Sequence, residues 1–435
     1  MQKSVFIYTY GCQMNEHDSE KMLGVLSEGG YERARSPEDA DLIILNTCAI
    51  REKAEQKFFS QLGRLKRLKQ KRSDLKIAVA GCVAQEEKEK LFRRVPIVDF
   101  IIGPQNIQSL SVAVSGKGPA AVLDENLELA ESEFEAVRLN NVKAWVSIMY
   151  GCNNFCSYCI VPFTRGREVS RPSSSVLSEI SALAARGFRE ITLLGQNVNS
   201  YRSDIDFIEL LRRIDLLGIE RVRFVTSHPR DLSEALIGVI AELKSVCEHV
   251  HLPLQSGSNR ILALMNRRYT YDDYRRKIDL LRKAVPGIAI TTDIIAGFPG
   301  ESEEDHSDTL RALEDIEYDG AFAFKFSPRK GTKASEMEDT VPKDIKSARL
   351  ERILKMQENI TFDKNKMLEG RTVEILLEGP SDTDPGKLVG RTRTNKIVVI
   401  PDSMETKGSI VKVRIENARP HSLYGVSNKA TGQPE

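Results

Sequence analysis

Trp145-Val146-Ser147-Ile148-Met149-Tyr150-Gly151-Cys152-Asn153-Asn154-Phe155-Cys156-Ser157-Tyr158-Cys159 is the stretch on which the reading of this chain turns. An apolar run of strand character breaks at a glycine and opens into a loop holding three cysteines at three-and-two spacing. Three thiolates so spaced can hold three corners of a 4Fe-4S cube and leave one iron open. The alternative is a structural zinc, which wants a fourth protein ligand, and none lies close in sequence.

Outward from this loop the pattern of strand and helix repeats. Strand-like runs are expected at Trp145 to Tyr150, Glu190 to Leu194, Arg221 to Thr226, His249 to Leu254, Ile288 to Ile295 and Ala321 to Phe326. Helical periodicity fills the gaps at Ser173 to Arg186, Phe207 to Leu217, Leu232 to Cys247, Tyr271 to Ala284 and Ser302 to Ile316. Six such units in series predict a curved or partly closed parallel barrel whose chemistry lies on the loops after its strands.

Upstream, three β-branched runs are separated by helix-patterned segments (Ser19 to Glu28, Arg51 to Lys71), which predicts a parallel α/β sheet. Each run ends close to a cysteine: Val5 to Tyr8 before Cys12, Leu42 to Leu45 before Cys48, and Ile77 to Ala80 before Cys82. The carboxyl edge of parallel strands is where open α/β sheets bind ligands, and neighbouring strands lie about 5 Å apart, so these cysteines can converge on a second cluster. Singly, each would read as a small buried residue. Cys247, expected at a helix end, reads as structural.

A polar segment from about Ser115 to Asn141 reads as a linker, and beyond a helical stretch ending near Leu368 the chain turns to short strands at Val373 to Leu377, Ile397 to Ile400 and Ile410 to Val413. These predict a small antiparallel β-barrel of roughly OB-like size, an architecture that often binds oligonucleotides. Three domains are expected, at 1–118, 138–368 and 370–433. No apolar run approaches the ~20 residues of a membrane span, and the N-terminus lacks the pattern of a signal peptide, so a cytoplasmic protein with no membrane partner is expected. Seven cysteines, an odd number, in such a chain favour metal binding over disulfides. The net charge of +1 gives no global field for nucleic acid, so any RNA must be held by local basic surface.

The Cys152, Cys156 and Cys159 loop, with Tyr158 before its last cysteine, resembles the signature of the radical S-adenosylmethionine superfamily. The resemblance implies that the open iron chelates S-adenosylmethionine and donates the electron that splits it to a 5'-deoxyadenosyl radical, chemistry no side chain supplies. It also implies a cofactor cradle of Gly195, Gln196, Gln255, Arg267 and Asp293, with Gln255 and Asp293 at the ribose hydroxyls and Arg267 at the methionine carboxylate.

Two three-cysteine sets in this order, followed by a small barrel, resemble the methylthiotransferase family over essentially the whole chain. That family combines an auxiliary-cluster domain, a radical S-adenosylmethionine core as a partial (β/α)6 barrel, and a TRAM domain. The segments Asn46 to Ala54, Ile160 to Glu168 and His251 to Arg260 are most similar to its MiaB branch, which acts on isopentenylated adenosine in tRNA. The resemblance implies two 4Fe-4S clusters bound by the six cysteines and two S-adenosylmethionine molecules per turnover. It also implies tRNA as partner, an electron donor such as a flavodoxin or ferredoxin, and a sulfur source.

The expected reaction turns N6-isopentenyladenosine at tRNA position 37 into its 2-methylthio derivative. Methylthiolation of threonylcarbamoyladenosine or of a ribosomal-protein aspartate is the alternative, and an RNA-binding iron-sulfur module the non-enzymatic one. Candidate substrate contacts are Arg165 and Arg167 beside the first loop, for which a structural salt bridge is the alternative, and Arg391, Arg393 and Lys396 in the small barrel. The segment Arg51 to Lys76, with ten Lys or Arg against three Asp or Glu, is either a phosphate track or a solvated helix face.

Overall fold

The computed structural model describes residues 3–48, 52–116, 118–124, 135–382, 384–402 and 405–427, with backbone alone for 52–55. The Ala49 to Arg51 part of the family-like segment, most of the acidic linker run and the end of the third expected domain lie outside these residues.

Strands β1 (Lys3–Tyr10), β2 (Tyr31–Arg33), β3 (Leu42–Thr47), β4 (Lys76–Gly81), β5 (Phe100–Ile102) and β6 (Ala120–Val122) form one parallel sheet in the order β2-β1-β3-β4-β5-β6. Every residue of β3 is buried, as expected of a strand covered on both faces. Ile43 and Leu45 face a layer containing Phe58, Leu62 and Leu65 of α2 (Glu52–Lys71), with α3 (Cys82–Glu87) and α4 (Lys90–Arg94) beside it. Leu42 and Ile44 face Met22 and Leu26 of α1 (Gln13–Glu28) and Leu110 of α5 (Leu110–Ser115). The chain leaves β1 for β2 on one side and returns to β3 on the other, so the order reverses between β1 and β3, the place where such sheets form a crevice. Cys12 and Cys48 follow those two strands.

The second domain is an arc of six parallel strands: β7 (Lys143–Ser147), then, after the short β8 (Met149–Tyr150) and β9 (Val169–Ser170), β10 (Glu190–Leu194), β11 (Arg221–Phe224), β12 (His249–His251), β13 (Ala289–Ala296) and β14 (Gly320–Lys325). The β7-β10-β11 half joins the β12-β13-β14 half through Val222, whose N–H donates to Ser245 O at 2.8 Å and whose carbonyl accepts from Cys247 N at 2.9 Å. Between β8 and β9, which pair antiparallel, hangs the cysteine loop with its short helix α6 (Val161–Thr164). Helices α7 (Ser173–Ala185), α8 (Phe207–Asp215), α9 (Glu234–Glu242), α10 (Asn259–Leu264), α11 (Tyr271–Ala284), α12 (Glu303–Ile316) and α13 (Lys343–Lys366) complete the domain, and those after the strands bury the apolar faces of Ile191, Leu193, Val222, Ile290 and Ile294.

Two expectations in this domain are corrected. The first strand run is interrupted at Ile148, which bonds sideways to Leu194 O. The helix expected over Leu232 to Cys247 stops at Glu242, because Asp215 accepts hydrogen bonds from Ser245 N at 3.0 Å and Ser245 Oγ at 2.6 Å and draws the chain into the sheet. Cys247 is therefore buried in an extended segment rather than at a helix end.

The third domain is a closed barrel of β15 (Thr372–Pro380), β16 (Lys387–Thr392), β17 (Ile397–Pro401), β18 (Ile410–Ala418) and β19 (Leu423–Ser427), in the order β15-β16-β17-β19-β18. Four of its five pairings are antiparallel and β17 with β19 is parallel, a difference from an all-antiparallel barrel that follows from the crossed order. Among the described residues no helix is long and apolar enough to cross a membrane.

Candidate functional site

The loop after β8 can turn only because Gly151, at φ +70°, carries no side chain: a Cβ there would lie 2.0 Å from Arg167 O. Neighbouring segments then fix the loop. Ser157 N bonds Met265 O at 3.0 Å, Ser157 Oγ bonds Leu264 O at 2.8 Å, Asn266 Nδ2 donates to Phe155 O at 3.0 Å, and Arg230 Nη2 donates to Asn154 Oδ1 at 2.8 Å. The sulfurs accept as well, Cys152 Sγ from the Asn154 backbone and side chain at 3.5 Å each, and Cys156 Sγ from Arg267 Nη1 at 3.3 Å. N–H donors to sulfur are one of the means by which a protein sets a cluster's potential.

Burial, with Cys156 beside it, pushes the Cys159 thiol up to about 12, and burial also raises Cys152. Such thiols resist ionising until a cation shares the pocket, which suits ligands of a cationic cluster. Among the described residues no three His, Cys, Asp or Glu close tightly enough for a single metal ion.

The cradle residues expected from the sequence gather at the same barrel edge. Arg267, buried, reaches Tyr158 OH at 3.4 Å, Tyr269 OH at 2.9 Å and Pro253 O at 2.8 Å. Gln255 N bonds Asp293 O at 2.8 Å and Gln255 O accepts from Ile295 N at 2.9 Å, so the two residues expected at one ribose are neighbours. Gln255 sits at φ +76°, a costly conformation for so large a side chain and of the kind that clusters at ligand sites. Asp293 Oδ2 lies 3.4 Å from His251 Nε2. Gly195 serves packing, since a Cβ would lie 2.5 Å from Met149 Cγ.

Gln196 Oε1 is buried without a hydrogen-bond partner, and so are both amide atoms of Asn199, Ser227 Oγ and His228 Nε2. Each orphan costs roughly 1–3 kcal/mol, and orphans grouped on the loops after β10 and β11 are what a polar ligand would satisfy. Burial and the nearby Arg267, Arg230, Lys277 and Arg268 pull His228 down to about 2, so it is neutral; Nδ1 accepts from Arg230 N at 3.2 Å, which leaves the proton on Nε2. Asn199, Ser227 and His228 were not singled out in the sequence. Their position just after a strand end was the available signal.

The other three cysteines stand directly after the carboxyl ends of β1, β3 and β4. Gly11 permits Cys48 to approach, a Cβ there falling 2.6 Å from Cys48 Cβ, and Gly81, at φ +87°, lets the chain pass Asn46 and Thr47 before Cys82 opens α3. The Cys12 thiol is drawn down to about 6, chiefly by its hydrogen bond with Cys48, against burial and with help from Arg165. Cys12 packs with Met14, Tyr150, Trp145 and Leu194, and Cys82 shares a cluster with Ile160, so these two cysteines lie against the residues that flank the first loop.

The expected RNA contacts divide. Arg167 is exposed, its guanidinium 4.4 Å from the centre of the Phe155 ring, and the exposed Phe163 stands edge-on to the same ring. Arg165 is buried against Asp18 and does not face solvent, a correction to its expected substrate role. Arg391, Arg393 and Lys396 are corrected likewise. Arg391 pairs with Glu378 at 3.2 Å, Arg393 with Glu248 at 2.8 Å and Lys396 with Asp319 at 3.2 Å, because the β16–β17 turn is pressed onto the second domain. There Arg221 and Arg223 donate to the carbonyls of Arg391, Thr392 and Arg393 at 2.7–2.8 Å. Just beyond α2, Arg72 is spent on Asp41 and Asp74, while Arg64, Lys66, Arg67 and Lys71 of the helix remain exposed.

Comparison with known proteins matches residues 4–103 to Uncharacterized protein family UPF0004, 146–313 to the Radical SAM superfamily and 366–426 to the TRAM domain. Among solved structures, the radical S-adenosylmethionine methyltransferase TsrM from Kitasatospora setae is 15% identical, with 77% of each chain covered and a TM-score of 0.57, a likeness of fold alone. The tRNA-2-methylthio-N(6)-dimethylallyladenosine synthase of Thermodesulfovibrio yellowstonii is 52% identical over 97% of this chain and 98% of its own. That of Carboxydothermus hydrogenoformans is 47% identical over 98% and 99%. Identity of this level along the whole of both chains makes this protein a member of the tRNA-2-methylthio-N(6)-dimethylallyladenosine synthase family, radical S-adenosylmethionine enzymes that use a 4Fe-4S cluster and S-adenosylmethionine.

Proposed function

We propose that this enzyme inserts a methylthio group at carbon 2 of N6-isopentenyladenosine at position 37 of tRNA, within the cytoplasm. The observation that carries the reading is that Cys12 packs against Tyr150 and Cys82 clusters with Ile160, the residues on either side of the Cys152 to Cys159 loop. Sulfur donor and adenine held in one cavity couple as though in a single molecule, which is worth far more than chance encounter.

In this reading each triad holds a 4Fe-4S cluster. When bound, the clusters and two S-adenosylmethionine molecules supply the 5'-deoxyadenosyl radical and the methylated sulfur. The chain's own residues hold and orient. Gln255 and Asp293 meet the ribose, Arg267 fixes Cys156 and the methionine carboxylate end, and the orphans at Gln196, Asn199, Ser227 and His228 take the remaining polar contacts. The apolar cluster of Ile261, Met265, Phe298 and Phe326, against which Tyr158 packs, keeps water from that side of the loop. Arg167, on the exposed face beside Phe163, tracks the RNA backbone, together with the exposed cations of α2.

Labour divides over three segments: residues 1–118 for the second cluster, 138–368 for radical chemistry and 370–433 for RNA. Electrons come from a flavodoxin or ferredoxin class of donor, and sulfur from outside the chain.

The test is mass spectrometry of nucleosides from isopentenylated tRNA treated with the anaerobically reconstituted enzyme, S-adenosylmethionine, sulfide and a reductant. The 2-methylthio product is expected. Formation of 5'-deoxyadenosine without it would overturn the substrate and leave threonylcarbamoyladenosine, then ribosomal protein, to be tried; formation of neither would leave the non-enzymatic module.

A further inference from the structure

Arg165 belongs to the radical domain by sequence, following α6 and the last cysteine of the loop, yet its partners come from the N-terminal domain. Its Nη2 donates to Asp18 Oδ2 at 2.7 Å, with only 6% and 3% of the two side chains exposed. Its carbonyl accepts from Gln105 Nε2 at 2.8 Å. The next residue, Gly166 at φ +77°, has that same amide 2.5 Å from where a Cβ would stand, so the backbone is pinned as closely as the side chain.

Asp18 lies on α1, the helix that Cys12 caps. Helix α6, whose Val161 carbonyl accepts from Arg165 N at 2.8 Å, lies against α3, the helix that Cys82 opens, and Cys82 itself packs in one cluster with Ile160. The five N–H donors of the Arg165 guanidinium exceed what one carboxylate can accept. Burying a guanidinium costs several kcal/mol unless its surroundings are well matched, and an isolated buried pair is often no better than apolar packing. A cluster bearing three thiolates is the further negative charge that this position is built to meet.

We propose that Arg165 is the positioning and tuning cation of the second cluster: reaching across the domain interface, it offsets the negative charge of the group held by Cys12, Cys48 and Cys82 and so raises that group's reduction potential. The proposal rests on the reading that this triad binds a cluster. Asp18 takes part of the guanidinium's field for itself, and thereby sets how much of it the cluster feels. The two residues must then act in opposite senses, which separates tuning from simple domain adhesion: removing either half of an adhesive pair would have the same sign.

The experiment uses the full chain with Cys152, Cys156 and Cys159 all replaced by Ala, reconstituted anaerobically so that only the second cluster can form. Iron per chain and the midpoint of a redox titration followed by electron paramagnetic resonance are measured in this parent and with Arg165→Gln, Arg165→Lys and Asp18→Asn added. The parent is expected to keep about four irons. Arg165→Gln makes reduction about tenfold less favourable, a shift of about 59 mV to more negative potential for one electron. Arg165→Lys restores most of the loss, and Asp18→Asn shifts the midpoint the other way.

Loss of iron in Arg165→Gln with retention in Arg165→Lys also supports the proposal, since charge is then what holds the cluster. Midpoints that do not move, or that move in one direction for Arg165→Gln and Asp18→Asn alike, overturn it. So does loss of iron from all three variants, which would make Arg165 a structural pin. A parent without iron instead overturns the underlying reading of the triad, and the proposal with it.

Discussion

The two cysteine triads are made in opposite ways. Cys152, Cys156 and Cys159 come from one loop, so their spacing is written in eight consecutive residues, although contacts from the sequence-distant Arg230, Met265 and Asn266 hold it in place. Cys12, Cys48 and Cys82 come from three strand ends and have no common geometry until β1, β3 and β4 are paired. The electrostatics differ too: burial and Cys156 hold Cys159 up near 12, whereas the hydrogen bond with Cys48 draws Cys12 down to about 6. A ligand set can therefore be local and motif-like or distributed and fold-dependent, and the two kinds should fail differently.

The largest effect breaks the comparison at its local end. Cys156→Ala should abolish both 5'-deoxyadenosine and methylthiolated nucleoside, measured in one anaerobic assay. Cys48→Ala should keep cofactor cleavage and lose only the methylthio product; full product from this variant would remove the distributed triad from the chemistry. Gly81→Ala tests whether that triad depends on the fold. Its Cβ would meet Asn46 Oδ1 at 2.5 Å and Thr47 O at 2.6 Å at a positive φ, so iron should fall from about eight to about four per chain, with about 1–3 kcal/mol lost from the N-terminal domain in chemical denaturation.

Arg223→Ala sharpens the contrast from a third side. It leaves Glu190, 2.9 Å away, buried and unpaired and frees two carbonyls of the barrel turn; about 3–5 kcal/mol of stability should go while iron content stays whole. Smallest is Lys396→Ala, expected to leave the salt dependence of tRNA binding unchanged because the lysine is spent on Asp319. Arg167→Ala should instead lower that slope by about one.

How much was legible follows the same division. The strand at Glu190–Leu194 and the helix at Tyr271–Ala284 were read to the residue, since each carries an unbroken periodic pattern between clear punctuation. Strands β2, β5 and β6, three residues each, are too short to show a period. Leu243, Val246 and Cys247 carry the helical apolar spacing beyond α9, so only the tertiary capture by Asp215 reveals where that helix ends. All six proposed cluster ligands were visible, the distributed three because strand ends could be aligned in the sequence. Arg165, Arg391, Arg393 and Lys396 each pair inside the protein, and a charge in sequence does not disclose which partner it finds. The orphaned Asn199, Ser227 and His228 were missed because an unmet hydrogen bond is a property of the folded molecule alone.

The distributed triad also has a consequence for the order of assembly. In small metal domains the ion can organise an unfolded chain, because its ligands lie close along the sequence. Here Cys12, Cys48 and Cys82 become neighbours only once a ribosome has delivered the chain through β4 and the sheet has closed over α1 and α2. Iron cannot template this domain; it must be handed to a finished one. The loop of Cys152 to Cys159 also waits on later chain, since Arg230, Met265 and Asn266 pin it, so each set of cysteines is placed only when its own domain has closed.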